Sequence, residues 1–311
     1  MNVELCFSDS PGHSQREFPR QLQSCLAWVA LSALLLLLPA SSARAITFGE
    51  LDLGQHPAAG AFVQIAHLSG TDPNRPVPRV RGSGCLIHPR IFLTAGHVTD
   101  VVDGLIKLNG KEEALAAFAI SFGDDALDST TWYQIAEVFT HPGFRSTPDS
   151  AGGGPMTDVG VFILRDPVQD VMPVSLTPVG FLNSLHRDGL LRSKNQGSPF
   201  TNVGYGTQLL LSPPTLVAPD GLRRVSVSSF QTLLDHWLVL SQNPHRGNEG
   251  TGFGDSGGPT IWTDPDSGEE TVVAITSRGD AKTISTGFAF RLDTPDVLGF
   301  LELAAAFADT P

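Results

Sequence analysis

Short apolar, β-branched runs recur along the chain between turns rich in glycine, proline and aspartate. These runs cover residues 61–66, 85–93, 133–139, 159–164, 225–230, 237–241, 271–276 and 287–292. Runs of this length and spacing are typical of the strands of a β-sandwich or β-barrel. Residues 181–200 and 211–222 lack such runs and are predicted to be long surface loops.

One long helix is predicted, at the end of the chain. Thr294 can cap it, and Pro295 suits the first helical turn. The positions that follow form an apolar stripe, which consists of Val297, Leu298, Leu301 and Ala304.

Composition supports a turn-rich β protein, since the chain has 32 glycines and 23 prolines but few lysines and glutamates. Its 311 residues allow one large domain or two coupled halves with an ample core. A formal net charge of -12 argues against nucleic-acid binding.

Residues 1–45 have the pattern of an export signal. Arg16 and Arg20 precede an apolar run over 26–39, and Ala43-Arg44-Ala45 fits a small-x-small cleavage site. The apolar run is shorter than the ~20 residues that span a bilayer. The pattern therefore predicts a cleaved signal peptide and a secreted protein, extracellular or periplasmic; an uncleaved membrane anchor stays open as the alternative.

Cysteine usage bears on how the mature chain is stabilised. Cys6 and Cys25 lie in the leader, so only Cys85 remains after cleavage. No internal disulfide can then form, and Cys85 is predicted to be a small buried core residue.

The segment 254–259, Gly-Asp-Ser-Gly-Gly-Pro, indicates a nucleophilic serine at Ser256. A serine hydroxyl needs a base to take its proton and N–H donors for the developing oxyanion. The segment also fits the Gly-x-Ser-x-Gly elbow of α/β-hydrolases, whose histidine follows the serine. The last histidine here is His245, so that fold is excluded.

The base and its partner must lie upstream. Leu93-Thr94-Ala95-Gly96-His97 ends an apolar run with a histidine among small residues, and Asp158 begins the next apolar run. An imidazole titrates near neutral pH, and a buried carboxylate needs a partner. A subtilisin-type enzyme is excluded because Asp158 follows His97. No metal-binding motif occurs, so neither a cofactor nor a metal is expected.

The order His97, Asp158, Ser256 resembles the triad of the chymotrypsin/trypsin family of serine proteases. Further segments resemble that family over nearly all of 46–305, namely 82–87, 204–206, 277–279 and 287–292. The resemblance implies an all-β fold of two packed antiparallel six-stranded β-barrels with a C-terminal α-helix. The peptidase domain would span 46–311, with barrels at about 46–170 and 171–293 and the helix at about 294–308.

The chain departs from the family where cysteines usually bridge around the catalytic histidine and beside the serine loop. Gly82, Val98 and Gly252 stand at those positions, which resembles disulfide-poor bacterial secreted members. Arg278 replaces a usual tryptophan, which puts the subsite preferences of the substrate groove in doubt.

The resemblance assigns roles to particular residues. Ser256 would attack the scissile carbonyl, His97 would act as base, and Asp158 would orient His97. The backbone N–H groups of Gly254 and Ser256 would form the oxyanion hole. In this family a new Ile amino terminus pairs with the Asp before the serine, so cleavage after Ala45 would pair Ile46 with Asp255 without a zymogen step. Phe48, which replaces a usual glycine, weakens that expectation.

The resemblance also places a primary specificity pocket. By this resemblance, Gly250 would lie at its base, Thr251 beside it, and Gly279 and Gly287 in its walls. The remaining substrate-binding residues would be Phe253, Ser277 and Arg278. A pocket without a carboxylate predicts neutral side chains, medium or large apolar ones. The alternative is a one-residue shift that brings Glu249 into the pocket.

Together these features predict a secreted serine endopeptidase that works through an acyl-enzyme. Its partners would be protein or peptide substrates and a proteinaceous inhibitor, and the protein would be a monomer. Two alternatives stay open: a catalytically inactive relative that only binds, and an esterase-like hydrolase on the same fold.

Overall fold

A computed structural model describes residues 49–145, 157–193, 197–211, 214–280 and 284–310. The strands are β1 (Glu50–Leu51), β2 (Ala59–Gln64), β3 (Arg79–His88), β4 (Ile91–Thr94), β5 (Phe118–Ser121), β6 (Trp132–Thr140), β7 (Gly160–Leu164), β8 (Pro199–Gly204), β9 (Gln208–Leu211), β10 (Pro214–Val217), β11 (Arg224–Leu233), β12 (Trp237–Ser241), β13 (Pro259–Thr263), β14 (Glu270–Gly279) and β15 (Thr286–Arg291). The helices are α1 (Gly96–Asn109), α2 (Lys111–Ala116), α3 (Phe181–Arg187) and α4 (Pro295–Ala308).

The first barrel closes in the order β2-β3-β4-β7-β6-β5, with every pairing antiparallel. Its interior is aromatic: the ring of Phe62 stacks on Phe118 and on Phe162, each at a centroid distance of 4.8 Å. All residues of β4 and β7 are buried, because neighbouring elements cover the barrel's outer face as well.

The second barrel closes in the order β8-β11-β12-β15-β14-β13 and back to β8, again antiparallel throughout. Strand β1 extends this sheet by pairing Glu50 with Val225 of β11. The two six-stranded barrels and the C-terminal helix confirm the predicted fold class.

Helix α4 begins as its sequence predicts, because the Thr294 hydroxyl accepts a hydrogen bond from the Val297 N–H at 3.4 Å. The helix packs on the first barrel, and the Arg90 guanidinium donates to the Ala308 carbonyl at 2.9 Å. No helix in the described part of the chain is long and apolar enough to cross a bilayer.

Several local predictions were wrong. Residues 181–187 form helix α3 instead of a loop, because Leu182 and Leu185 turn together into the second barrel's core. Part of the second predicted loop forms the β9–β10 hairpin. The run over 85–93 is a hairpin, in which Cys85 of β3 pairs with Leu93 of β4.

Helix α1 was not predicted either, although Val98, Val102 and Leu105 follow helical spacing and are buried. The prediction for Cys85 is confirmed, since it is a free thiol inside the first barrel. Burial raises the pKa of that thiol to about 12, so it stays protonated.

Candidate active site

His97 lies at the junction between β4 and α1. The chain turns at Ala95 into the helix, which leaves the His97 side chain 39% exposed. Glycines permit this close approach: a Cβ on Gly96 would lie 3.0 Å from the backbone of Val159, and one on Gly160 would lie 2.2 Å from Thr99 Oγ1. The packing of α1 against β7 therefore places the imidazole beside Asp158, the residue two before β7.

Asp158 binds His97 at three points. Its Oδ1 accepts from the His97 backbone N–H at 2.8 Å, and His97 Nδ1 lies 3.1 Å from Oδ1 and 2.9 Å from Oδ2. The Ser277 hydroxyl donates to Oδ2. Both carboxylate oxygens therefore have hydrogen-bond partners within the protein, which a side chain only 3% exposed to solvent requires.

The protonation of this pair follows from its surroundings. Burial raises the pKa of the Asp158 carboxyl, but hydrogen bonds from His97 and Ser277 and the charge of the imidazolium outweigh burial, so the pKa lies below its ordinary value. An ionised carboxylate only accepts hydrogen bonds, so Nδ1 of His97 carries a proton. In the neutral imidazole, Nε2 is then the free base.

The loop that holds Ser256 is fixed to both barrels. The Ser256 carbonyl accepts from the Ser83 N–H of β3 at 2.8 Å, and the Gly257 N–H donates to the Thr276 carbonyl of β14 at 2.7 Å. Gly257 has a φ of +85°. A Cβ there would lie 2.1 Å from Thr94 Oγ1, so only glycine fits this position.

The predicted oxyanion-hole donors lie in the same loop. Gly254 has a φ of +101°, and its carbonyl accepts from the Ser83 hydroxyl at 2.9 Å. Among the described residues, no acceptor is paired with the backbone N–H of Gly254 or of Ser256. Two N–H groups without protein partners on one tight loop are the arrangement that an oxyanion needs.

A cavity of about 260 Å³ brings His97 and Ser256 together. The predicted residues that line it are Thr251, Phe253, Ser277, Arg278 and Gly279, joined by Gly252, Thr276 and Asp280. Within the described structure, the Ser256 hydroxyl and the imidazole form no hydrogen bond. Catalytic hydrogen bonds of this kind often tighten only once substrate is bound.

Two predicted pocket residues, Gly250 and Gly287, do not line the cavity, because the side chain of Gln242 lies against both. A Cβ on Gly250 would come within 2.6 Å of Gln242 Cδ, and one on Gly287 within 2.5 Å of Gln242 Nε2. The space beside these two glycines is therefore filled by Gln242 and is not an open pocket. Sequence analysis missed Gln242, which no motif marks.

Two charged residues near the cavity, Glu249 and Arg278, are engaged in contacts outside it. The Glu249 carboxylate accepts from the Val227 N–H at 3.0 Å. The Arg278 guanidinium lies 4.5 Å from the ring centroid of Trp237 and 5.0 Å from that of Phe288, at cation–π distance. Arg278 therefore covers an aromatic pair as well as contributing to the cavity wall.

Asp255 is fully buried behind the serine loop. Its carboxylate accepts from the Gly206 and Gly252 N–H groups, both at 2.7 Å. Burial raises the pKa of Asp255 to about 7, and those hydrogen bonds and the charge of Arg224 only partly offset it. Its predicted partner Ile46 lies outside the described residues; Gly49, a few positions later, is buried.

Gly82, Val98 and Gly252, where the resemblance leads one to expect cysteines, are tightly packed. A Cβ on Gly82 would lie 3.2 Å from Val98 Cγ1, so these two residues are in direct contact. A Cβ on Gly252 would lie 2.5 Å from Thr207 Oγ1.

Comparison with known proteins identifies the class that this fold and site define. The family model for trypsin matches residues 54–294, which is most of the chain and both barrels. The chain therefore belongs to the trypsin family of serine proteases. No curated protein matches the chain significantly.

Proposed function

We propose that the protein is an active serine endopeptidase in which Ser256, His97 and Asp158 act as a catalytic triad. The observation that carries this proposal is the cavity in which His97, oriented by buried Asp158, faces the same space as Ser256. Membership of the trypsin family supports it independently.

The proposed mechanism follows from the site. His97 Nε2 takes the Ser256 proton as the serine oxygen bonds to the scissile carbonyl carbon, and the oxyanion accepts from the Gly254 and Ser256 N–H groups. His97 then gives the proton to the leaving amine as the C–N bond breaks. Water, activated by the same imidazole, hydrolyses the acyl-enzyme and restores the serine.

Activation by the new amino terminus belongs to the same proposal. Cleavage after Ala45 would free the Ile46 ammonium, and Asp255 offers a buried carboxylate at the back of the serine loop. The pairing would favour the ionised form of Asp255, which burial otherwise disfavours. Amino-terminal sequencing of the active secreted protein should find Ile46; full activity in a form that starts well after Ile46 would contradict the pairing.

Secretion and substrate class complete the proposal. The leader pattern over 1–45 supports export, and the absence of other cysteines from the mature chain fits a disulfide-poor secreted protease. The primary pocket is proposed to take uncharged side chains. The Glu249 carboxylate is bound to the Val227 N–H. The carboxylate of Asp280, which lines the cavity, accepts from the Ser285 and Thr286 N–H groups.

The test is turnover of a peptide library by purified mature protein and by Ser256→Ala, with the exposed-turn variant Ser267→Ala as the matched control. Loss of the serine is expected to lower turnover on the order of 10⁶-fold, whereas the control keeps wild-type activity. Wild-type cleavage of esters without peptides would favour the esterase. Absence of all turnover would favour a relative that only binds.

A further inference from the structure

The side chain of Gln242 is buried behind the wall of the cavity. Gln242 follows β12 and is 1% exposed. Its carboxamide occupies the room that three glycines leave, since Cβ atoms on Gly250, Gly287 and Gly279 would lie 2.6, 2.5 and 3.6 Å from it. Of these glycines, Gly279 also lines the cavity beside Ser256, so the carboxamide lies directly behind the cavity wall.

The hydrogen bonds of this carboxamide are incomplete. Gln242 Nε2 donates to Thr251 Oγ1 at 2.9 Å and lies 3.5 Å from the Thr251 carbonyl oxygen. A carbonyl can only accept, so these contacts orient Nε2 toward Thr251 and Oε1 toward Gly279. Gln242 Oε1 is buried and has no hydrogen-bond partner among the described residues.

A buried acceptor without a partner is rare in folded proteins, because it loses its hydrogen bonds to water and gains nothing in return. Here the acceptor lies next to Gly279, which lines a cavity that would hold a substrate side chain. Thr251 lines the same cavity. Its oxygen already accepts from Gln242, so its hydroxyl hydrogen is available to donate.

We propose that Gln242 and Thr251 form the floor of the primary specificity pocket and select a substrate side chain that ends in a carboxamide. For this contact the buried Gln242 carboxamide would turn past Gly279 toward the cavity. The amide N–H of the substrate side chain would then donate to Gln242 Oε1, and its oxygen would accept from the Thr251 hydroxyl. This inference rests on the proposed function and replaces its general neutral preference with asparagine or glutamine.

Competing side chains fit this floor less well. An apolar side chain would leave Gln242 Oε1 unpaired and shield it from water. A lysine or arginine could donate to Oε1, but its charge would find no carboxylate at the floor. Glu249 is bound to Val227, and Asp280 in the cavity wall accepts from the Ser285 and Thr286 N–H groups. The carboxylate of a substrate glutamate can only accept, so it would be repelled by the acceptor oxygen Gln242 Oε1.

The experiment compares kcat/KM for peptides that differ only in the residue before the cut, which is Gln, Asn, Leu, Met, Glu or Lys. Enzyme concentration is set by titration with a fluorophosphonate, so that misfolded protein is not counted. We expect Gln or Asn to exceed Leu and Met by about tenfold or more, the worth of a well-made hydrogen bond. Gln242→Met keeps the volume of the side chain and should abolish this preference.

Two further variants and a control sharpen the result. Gln242→Glu places a carboxylate on the floor and should shift the preference toward Lys. Thr251→Val should lower kcat/KM for the Gln and Asn peptides and leave that for the other peptides unchanged. Gln208→Met removes another buried glutamine, one bound to Asp220, and should leave the preference intact.

The outcomes separate the two proposals. Turnover of peptides with unchanged selectivity in Gln242→Met, or a wild-type preference for Leu, Met or Lys, overturns the carboxamide floor and leaves the protease standing. No turnover of any peptide together with no fluorophosphonate labelling overturns both.

Discussion

Two buried carboxylates of the candidate active site, Asp158 and Asp255, have opposite electrostatic surroundings. Both are almost fully buried, and burial raises the pKa of each. For Asp158, the hydrogen bonds from His97 and Ser277 and the imidazolium charge reverse that effect. For Asp255, two backbone N–H groups and the charge of Arg224 do not, and its pKa reaches about 7.

The difference shows what each carboxylate still requires. Asp158 has its partners within the folded domain, so it can hold His97 in one tautomer as soon as the barrels form. Asp255 is costly to ionise until a positive group arrives, and the proposed Ile46 ammonium would be that group. On this proposal, Asp158 orients His97 once the domain has folded, whereas Asp255 takes part only in activation by the Ile46 ammonium.

Removing the charge at Asp158 should have the largest effect. Asp158→Asn could no longer hold the Nδ1–H tautomer, and kcat should fall on the order of 10⁴-fold. Peptide hydrolysis at saturating substrate measures this, with the exposed turn variant Asp266→Asn as control. A loss no larger than that of the control would mean that Asp158 does not orient the base.

Asp255→Asn should have the second largest effect on activity. A buried ammonium left without its carboxylate costs ~3–5 kcal/mol, so the active conformation should be depleted about 10²-fold or more. The fraction of protein labelled by a fluorophosphonate, measured beside kcat/KM, reports that depletion. Full labelling and full activity would show that no buried pair forms at this carboxylate.

A pH series should distinguish the two carboxylates further. In a form extended ahead of Ile46, the folded pKa of Asp255 is raised to about 7, above its unfolded value. Its contribution to stability is therefore full below the unfolded pKa and is lost as pH rises toward about 7. The free energy of unfolding should fall by up to about 2–3 kcal/mol between pH 5 and pH 7.

The processed form, in which the ammonium favours ionised Asp255, should lose much less stability over that interval, and so should the extended Asp255→Asn variant. Urea unfolding at the two pH values measures all three proteins. An equal loss of unfolding free energy between the two pH values in all three proteins would contradict the role given to Asp255. Asp158 behaves in the opposite sense, since its lowered pKa gives stability that is lost only as pH falls through that value.

The smallest effect is expected at Ser277, whose hydroxyl donates to Asp158. Ser277→Ala removes one hydrogen bond to a charged group and should lower kcat about tenfold, with KM for a short peptide little changed. Steady-state kinetics measure the two parameters separately, with Ser267→Ala as control. A change in KM alone would mean that Ser277 contacts substrate without supporting Asp158.

The three candidate catalytic residues could be singled out from sequence because each lies in a local pattern. His97 ends an apolar run among small residues, Asp158 starts another, and Ser256 sits in a glycine-rich segment. The all-β fold class could be predicted from the length and spacing of the short apolar runs. The order of the three residues then excluded the competing hydrolase folds.

What sequence could not predict depends on contacts between distant segments. Gln242 lies behind the cavity wall only because β12 pairs with β15 and Gly250 of the loop before Ser256 packs against its side chain. The Ser277–Asp158 bond joins residues from different barrels. Helix α3 has only two buried leucines, too short a pattern to separate from a loop.

The central claim, that Ser256 is a nucleophile activated by His97, has one direct test. Native mature protein is treated with a fluorophosphonate, and the labelled peptide is identified by mass spectrometry. A single adduct on Ser256 is expected, lost on heat denaturation and in His97→Ala, because only the folded pair activates the hydroxyl. An adduct on another serine, or equal labelling of Ser256 in His97→Ala, would contradict the account.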